Sequence, residues 1–267
     1  MSKNPIIVID PGHGGRDSGA VNGVTGSQEK DIVFSEAKAL RFALKQRGVD
    51  ARLTREDDRF LTLGDRAAIA NELGAPLISL HCNASNGDGH GFEAFTSPGQ
   101  TKSDALATSM LDAYAEAFSM SSRYDFRDGD ADKEAKFAVL VRTIGVSVLF
   151  ELGFIDNPAD EKFLVDLNYR VQRAEVLADA IVSWLVETTG FKPVSEESVQ
   201  KEPAKMVAKS DRTDETDLTK QQQQQLFDIK LNDKQRIIDC LKSEVSIWEE
   251  KCAKLAKQID TARKALA

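Results

Sequence analysis

IIVIDPGHGGRDSGA, residues 6–20, decides how the chain reads. Pro5–Asp10 is nearly all apolar, which fits a strand buried on both faces in a parallel sheet. Residues 12–19 then form a glycine-rich turn, which permits close backbone approach to a bound group. His13 lies in this turn. After it, Ile32, Val33, Ala37, Leu40 and Leu44 recur at helical spacing from Glu29 to Gln46, and Gly48 ends that helix.

Asp50–Thr54 and Leu77–His81 read as the second and third strands, with a helix over 62–73 between them, and Gly91–Thr96 as the fourth. A helix over 101–120, an apolar strand over Val146–Leu152 and a closing helix over Asn168–Thr188 complete the pattern. Strands alternating with helices predict an α/β domain, with a mixed, largely parallel sheet flanked by helices on both faces. In such sheets ligands bind beyond the carboxyl ends of the strands. His13 follows the first strand, His81 ends the third, and Glu151 lies near the end of the last. Glu29 opens the first helix and can turn into the same cleft.

Two imidazoles and a carboxylate are a standard three-ligand set for a catalytic zinc, which leaves a fourth position for water. A further glutamate can then move protons. Taken singly, His13 reads as a turn histidine, His81 as a core histidine and Glu29 as a charge favoured by a helix amino terminus. Glu151, inside VLFELGF, is costly to bury unpaired. The ligands lie far apart, and no short zinc motif such as H-E-x-x-H is present.

Four segments together carry a resemblance: IIVIDPGHGGRDSGA, SQEKD (27–31), LISLHCNAS (77–85) and VLFELGFIDN (148–157). Over roughly residues 5–188 the chain resembles the zinc-dependent N-acetylmuramoyl-L-alanine amidases. The resemblance implies hydrolysis of the amide between the lactyl group of N-acetylmuramic acid and L-alanine in peptidoglycan. It also implies His13, Glu29 and His81 as ligands of Zn2+, and Glu151 as the catalytic carboxylate. Two other functions compete: a zinc peptidase or amidase acting on another cell-wall amide, and a non-catalytic oligomeric wall-binding protein. Some family members carry an extra helix that plugs the cleft until a partner removes it. The corresponding stretch here, SSRYDFRDGDADKEAK, is too short for one, so activity without a protein activator is expected.

Around the site, Asp10 is expected either to brace a ligand imidazole or to cap the turn. Asn83 is expected to brace the loop after His81, and Glu93 to form a structural ion pair. Arg66 and Asn71 read as helix packing and hydrogen bonding. Cys82 alternates with His81 along a strand and reads as a buried thiol on the opposite face. His90, in NGDGHG, reads as solvated.

Composition bounds the rest. The chain has 267 residues and a net charge of −8, and residues 1–190 carry 20 basic against 29 acidic side chains. Such a chain is no nucleic-acid binder by charge. Cys82, Cys240 and Cys252 are too few for a disulfide framework. No apolar run is long enough for a membrane span, and MSKNPIIVID lacks the features of a secretory signal. The expectation is a phage-type endolysin, made in the host cytoplasm and acting at the wall after release.

Three segments are expected: a catalytic domain over 1–190, a polar linker over 191–225, and a C-terminal coiled-coil helix over 226–267. In the last, Leu231, Ile238, Val245, Cys252, Ile259 and Leu266 share one heptad core position. Lys234, Leu241, Trp248, Leu255 and Ala262 share the other, over about five heptads. As a helix this stretch would run roughly 54 Å. A parallel dimer would set Glu244 against Glu249, so the order and direction of association stay open. Two competing readings are a basic face that touches wall or membrane, and a helix packed on its own domain. The heptad predicts a homo-oligomer: a peptide of residues 226–267 should sediment above its monomer mass, and a monomeric helix would end the idea.

Overall fold

The computed structural model describes residues 4–99, 101–127 and 129–194. The heptad helix expected at 226–267 and most of the expected linker lie outside the described residues. The elements run β1 (Ile6–Pro11), α1 (Glu29–Gln46), β2 (Asp50–Leu53), α2 (Leu63–Leu73), β3 (Leu77–Asn83), β4 (Glu93–Thr96), α3 (Asp104–Ala117), β5 (Lys133–Glu134), α4 (Ala138–Val141), β6 (Ser147–Phe154), α5 (Pro158–Val165) and α6 (Leu167–Thr189).

One sheet holds all six strands in the order β2-β1-β3-β6-β4-β5. The pairs β1–β2, β1–β3 and β3–β6 are parallel, while β4 runs antiparallel to β6 and β5 follows β4. This is the mixed, largely parallel sheet expected. Helices cover both faces. Against one, α1, α3 and α6 pack together. On the other, α2 and α4 close a core of Val8, Ala70, Leu77, Val139, Leu140 and Leu149. Strand alternation assigns the side chains: Val8, Asp10, Leu77, Ser79, His81, Leu149 and Glu151 share the face of α2 and α4. Those helices are short, with 11 and 4 residues.

Local chemistry sets the helix ends. Thr62 and Asp65 form a capping box that starts α2, and Gly74 ends it in the left-handed region. Asn157 caps α5 ahead of Pro158, and Asp166 caps α6. The expected helix over 101–120 is shorter at both ends: Thr101 binds both carboxylate oxygens of Asp104, so the helix begins there. Three elements were not expected from sequence. β5 and α4 have 2 and 4 residues, too few to show a period. α5 does announce itself, through the Asn-Pro pair that starts it. Between α3 and α4 the described residues contain the short strand β5 and no helix. No described helix is long and apolar enough to cross a membrane.

Inside the α1–α6 layer sits an ion pair with both side chains fully buried, Glu36 and Arg173. The guanidinium reaches Glu36 Oε2 at 2.7 and 3.2 Å, and also donates to the carbonyls of Phe163 and Leu164. It thereby ties α1, α5 and α6 together. Removing one partner strands the other charge in a dry core. Arg173→Met should cost about 3–5 kcal/mol in urea unfolding, and the double change Glu36→Leu with Arg173→Met should recover most of it.

Candidate active site

His13 stands two residues beyond β1, with φ at 58°, in the left-handed region that non-glycine residues rarely occupy. Its backbone is held from outside. Arg66 Nη2 donates to the His13 carbonyl at 2.6 Å, and Nη1 donates to Asp10 Oδ1 at 2.8 Å and to the Pro11 carbonyl at 2.9 Å. Asp10 also accepts from Thr54 and Ser79. Arg55, a second buried guanidinium, donates to the carbonyls of Pro11, Gly12 and Lys30. The loop that carries His13 is therefore fixed by two arginines, and one of them is anchored on Asp10.

Asp10 was expected to brace an imidazole directly or to cap the turn. It does neither, and acts through Arg66. The carboxylate beside the imidazole belongs to Asp17, whose Oδ2 lies 3.0 Å from His13 Nδ1. The pair is a close charge contact that helps raise the imidazole, while Nδ1 finds no hydrogen-bond partner in this geometry. Sequence reading passed over Asp17, although its place four residues after His13 was a usable signal.

Three segments converge on Glu29. Its Oε1 lies 3.1 Å from His13 Nε2 and 2.9 Å from His81 Nδ1, and accepts from the Cys82 amide at 3.0 Å. Its Oε2 accepts from the Ala20 amide at 2.8 Å. Burial alone would raise the Glu29 carboxyl, but the bonds from His13 and His81 outweigh it and hold the group far below the usual carboxylate range. Burial opposes charge on both imidazoles as well, yet Glu29 raises each above its ordinary value. The amino end of α1 adds a dipole that favours the carboxylate.

One ligand atom from each of His13, Glu29 and His81 falls within 4.8 Å of the others. Two nitrogens and a carboxylate oxygen at that spacing suit a divalent ion with mixed N/O preference, as Zn2+ has. The packing leaves no slack. A Cβ on Gly12 would meet the His81 ring at 2.3 Å, and one on Gly19 would meet Glu29 Oε2 at 2.5 Å and the His13 ring at 2.7 Å. Both positions need glycine for close approach.

Glu151 stands apart from this trio. It lies directly across the β3–β6 ladder from His81 and across the β4–β6 ladder from Glu93. The three therefore form a row on one sheet face. Glu151 Oε2 is buried and accepts no hydrogen bond. Burial pushes its carboxyl up to about 7; the charges of Glu29 and Glu93 add to that, while His81 and His13 pull the other way.

Glu93 is held by Asn83, Arg123 and Lys133, which is the structural ion pair expected of it. Asn83 braces its own loop, accepting from the Ala84 amide as it donates to Glu93. Cys82 is a buried free thiol, and burial raises it well above its ordinary value. Asn71 joins α2 to the end of α4 through Arg142 and Ile144, as a packing residue should. His90 is exposed, with Nδ1 near the Asp88 carbonyl.

The sheet edge, the histidine–glutamate cluster and the free buried acid define an α/β protein with a metal-type site at the carboxyl ends of its strands. The chain belongs to the N-acetylmuramoyl-L-alanine amidase family, whose model matches residues 7–183. Membership makes it an amidase and a peptidoglycan hydrolase. It is 31% identical over 219 residues to N-acetylmuramoyl-L-alanine amidase AmiA of Escherichia coli, covering 67% of this chain and 75% of the relative. It is 33% identical over 219 residues to the endolysin of Bacillus phage SPP1, covering 80% and 79% of the two. Among solved structures it resembles the N-acetylmuramoyl-L-alanine amidase of Clostridium difficile 630, with a TM-score of 0.65 at 29% identity, covering 71% of this chain and all of that one.

If Arg66 fixes His13 through its fork, a lysine there loses the simultaneous bonds. Arg66→Lys and Asp10→Asn should each weaken Zn2+ binding about 10–100-fold, read by competition against a chromogenic chelator, with the circular dichroism unchanged. Unaltered affinity would confine the pair to fold support.

Proposed function

We propose that this protein cleaves the bond between N-acetylmuramic acid and L-alanine with Zn2+ held by His13, Glu29 and His81, and with Glu151 as the group that moves protons. The observation that carries the reading is the environment of Glu151: buried, with Oε2 unbonded, and directly across the ladder from His81.

When bound, the ion polarises the scissile carbonyl and acidifies a water. The chain's own groups supply the rest. Glu29 keeps its charge and shares it between the two imidazoles. Asp17 places a negative charge on the far side of His13, and Arg66 holds the backbone beneath it. Glu151, pushed up to about 7, gives and takes a proton readily near neutral pH. As base it accepts a proton from the attacking water. As acid it returns that proton to the departing alanine nitrogen when the C–N bond breaks. The products are a lactyl carboxylate on the glycan and a free α-amine on the peptide. Protons compete for the imidazoles, so metal affinity falls as pH drops.

The endolysin context draws support from the phage relative, which matches 80% of this chain. Self-association through residues 226–267 would gather several catalytic domains on one wall and raise their effective concentration there. The rival reading, hydrolysis of a different wall amide, leaves a different new amino terminus.

The test is mass spectrometry of peptidoglycan digested by the purified protein alone. Expected products carry a free amino-terminal alanine, form without an added activator and disappear with a chelator. Glu151→Gln should keep the bound metal and fold but lose about 10²–10⁴-fold in turnover. Full turnover in that variant, or a requirement for a second protein, would contradict the scheme.

A further inference from the structure

A second group of acids lies outside the histidine cluster. Asp104 opens α3, and Asp130 and Asp132 precede β5. One carboxylate oxygen from each falls within 4.8 Å of the others. Asp132 and Asp104 are buried, at 2% and 9% exposure. Neither takes part in an ion pair among the described residues, in contrast to Glu36, Glu93 and Asp10, which all have cationic partners.

The polar contacts of the two are few. Asp104 accepts from the amide and hydroxyl of Thr101, at 2.6 and 2.7 Å. Asp132 Oδ2 accepts from Thr96 Oγ1 at 2.8 Å, at the end of β4. Asp132 Oδ1 is buried and has no hydrogen-bond partner. Hydrogen bonds of the other oxygens do not satisfy that atom, and an unsatisfied buried carboxylate oxygen is costly. Burial, with the charges of Asp130 and Asp104 behind it, pushes the Asp132 carboxyl up to about 7. Burial is the larger cause, and the neighbouring acids, Asp130 above all, add to it against the opposing bond from Thr96.

Two oxygens that share an ion at about 2.4 Å lie at most about 4.8 Å apart, so this spacing is what a shared Ca2+ requires. The donors are all oxygens with no nitrogen or sulfur, which disfavours zinc and favours a hard ion. Ca2+ accepts flexible coordination, which suits donors that come from a loop and a helix start, whereas Mg2+ demands a near-ideal octahedron.

We propose that Asp104, Asp130 and Asp132 form a second cation site, for Ca2+, that fastens the segment before β5 to the amino end of α3. Lys133 follows directly in the chain and pairs with Glu93, the neighbour of Glu151 across the sheet. An ion there would steady one wall of the active-site row without touching substrate. The inference does not depend on the reaction assigned to the first site.

The experiment uses the zinc-loaded full chain, desalted into calcium-free buffer. Equilibrium dialysis with radioactive calcium should show one Ca2+ per chain. At calcium about 100-fold over its dissociation constant the thermal midpoint should rise by roughly 5–10 °C. Asp132→Asn and Asp104→Asn, run side by side, should each lose the uptake and the shift. No uptake by the wild-type chain at millimolar calcium would overturn the proposal, as would uptake that either folded variant leaves unchanged. If both variants failed to fold, the wild-type stoichiometry and shift would decide.

Discussion

Glu29 is the side chain on which the cluster depends, because it touches both segments that bring an imidazole to it. His13 arrives on the turn after β1, His81 at the end of β3, and Glu29 itself at the first turn of α1. Each of these would be costly to bring out of water alone. Together they neutralise one another: the carboxylate raises both imidazoles, and the imidazoles hold the carboxylate down. The backbone amides of Ala20 and Cys82 complete its bonding. A divalent ion entering here would displace protons from groups already gathered, with little reorganisation of the chain. The left-handed backbone of His13 is a cost this cluster imposes, and the Arg66 and Arg55 forks offset it.

The second constraint is the ladder. Parallel register between β3 and β6 puts His81 opposite Glu151, and antiparallel register between β4 and β6 puts Glu93 on the other side. A slip of one residue would turn Glu151 to the face of α1 and α6. The same alternation sends Cys82 into that core, where its thiol is far from useful acidity. Glu151 and Glu93 are neighbouring acids on one surface, yet their surroundings differ. Glu93 has Arg123, Lys133 and Asn83 about it, whereas Glu151 keeps an unbonded oxygen. The sheet delivers both groups to one place, and the side chains around each separate a paired acid from an unpaired one.

What could be read from the residues alone follows from how local each signal is. The run Ile6–Asp10, the helical period from Glu29 to Gln46 and the strand around Glu151 announce themselves, because each has a period and a boundary of its own. His13 and His81 were legible together because strand ends in such a sheet share an edge, and the family resemblance added Glu29 at the helix start. The role of Asp10 was not, since it depends on a guanidinium 56 positions away that no pattern in β1 indicates. Asp17 went unread for a different reason: its place beside His13 follows from how the turn after β1 is folded. β5 is two residues long and gains its pairing entirely from β4. The elements that escaped are those made by tertiary contact rather than by sequence period.

Glu29 and Asp132 make the same point from opposite sides. Burial pushes both carboxyls toward protonation, and neighbours decide the outcome. Two imidazoles surround Glu29 and reverse the effect of burial. Two further carboxylates stand near Asp132, and they reinforce it. A protein can afford the first arrangement in any state, with or without an ion. The second persists only if something positive arrives or a proton stays. Its donors are oxygen alone and come from a helix start and the segment before β5, so a hard cation is the complement that would keep Asp132 charged. Nitrogen-rich and oxygen-only clusters within one domain would then select different ions by donor chemistry, with no need for either site to exclude the other's ion by shape.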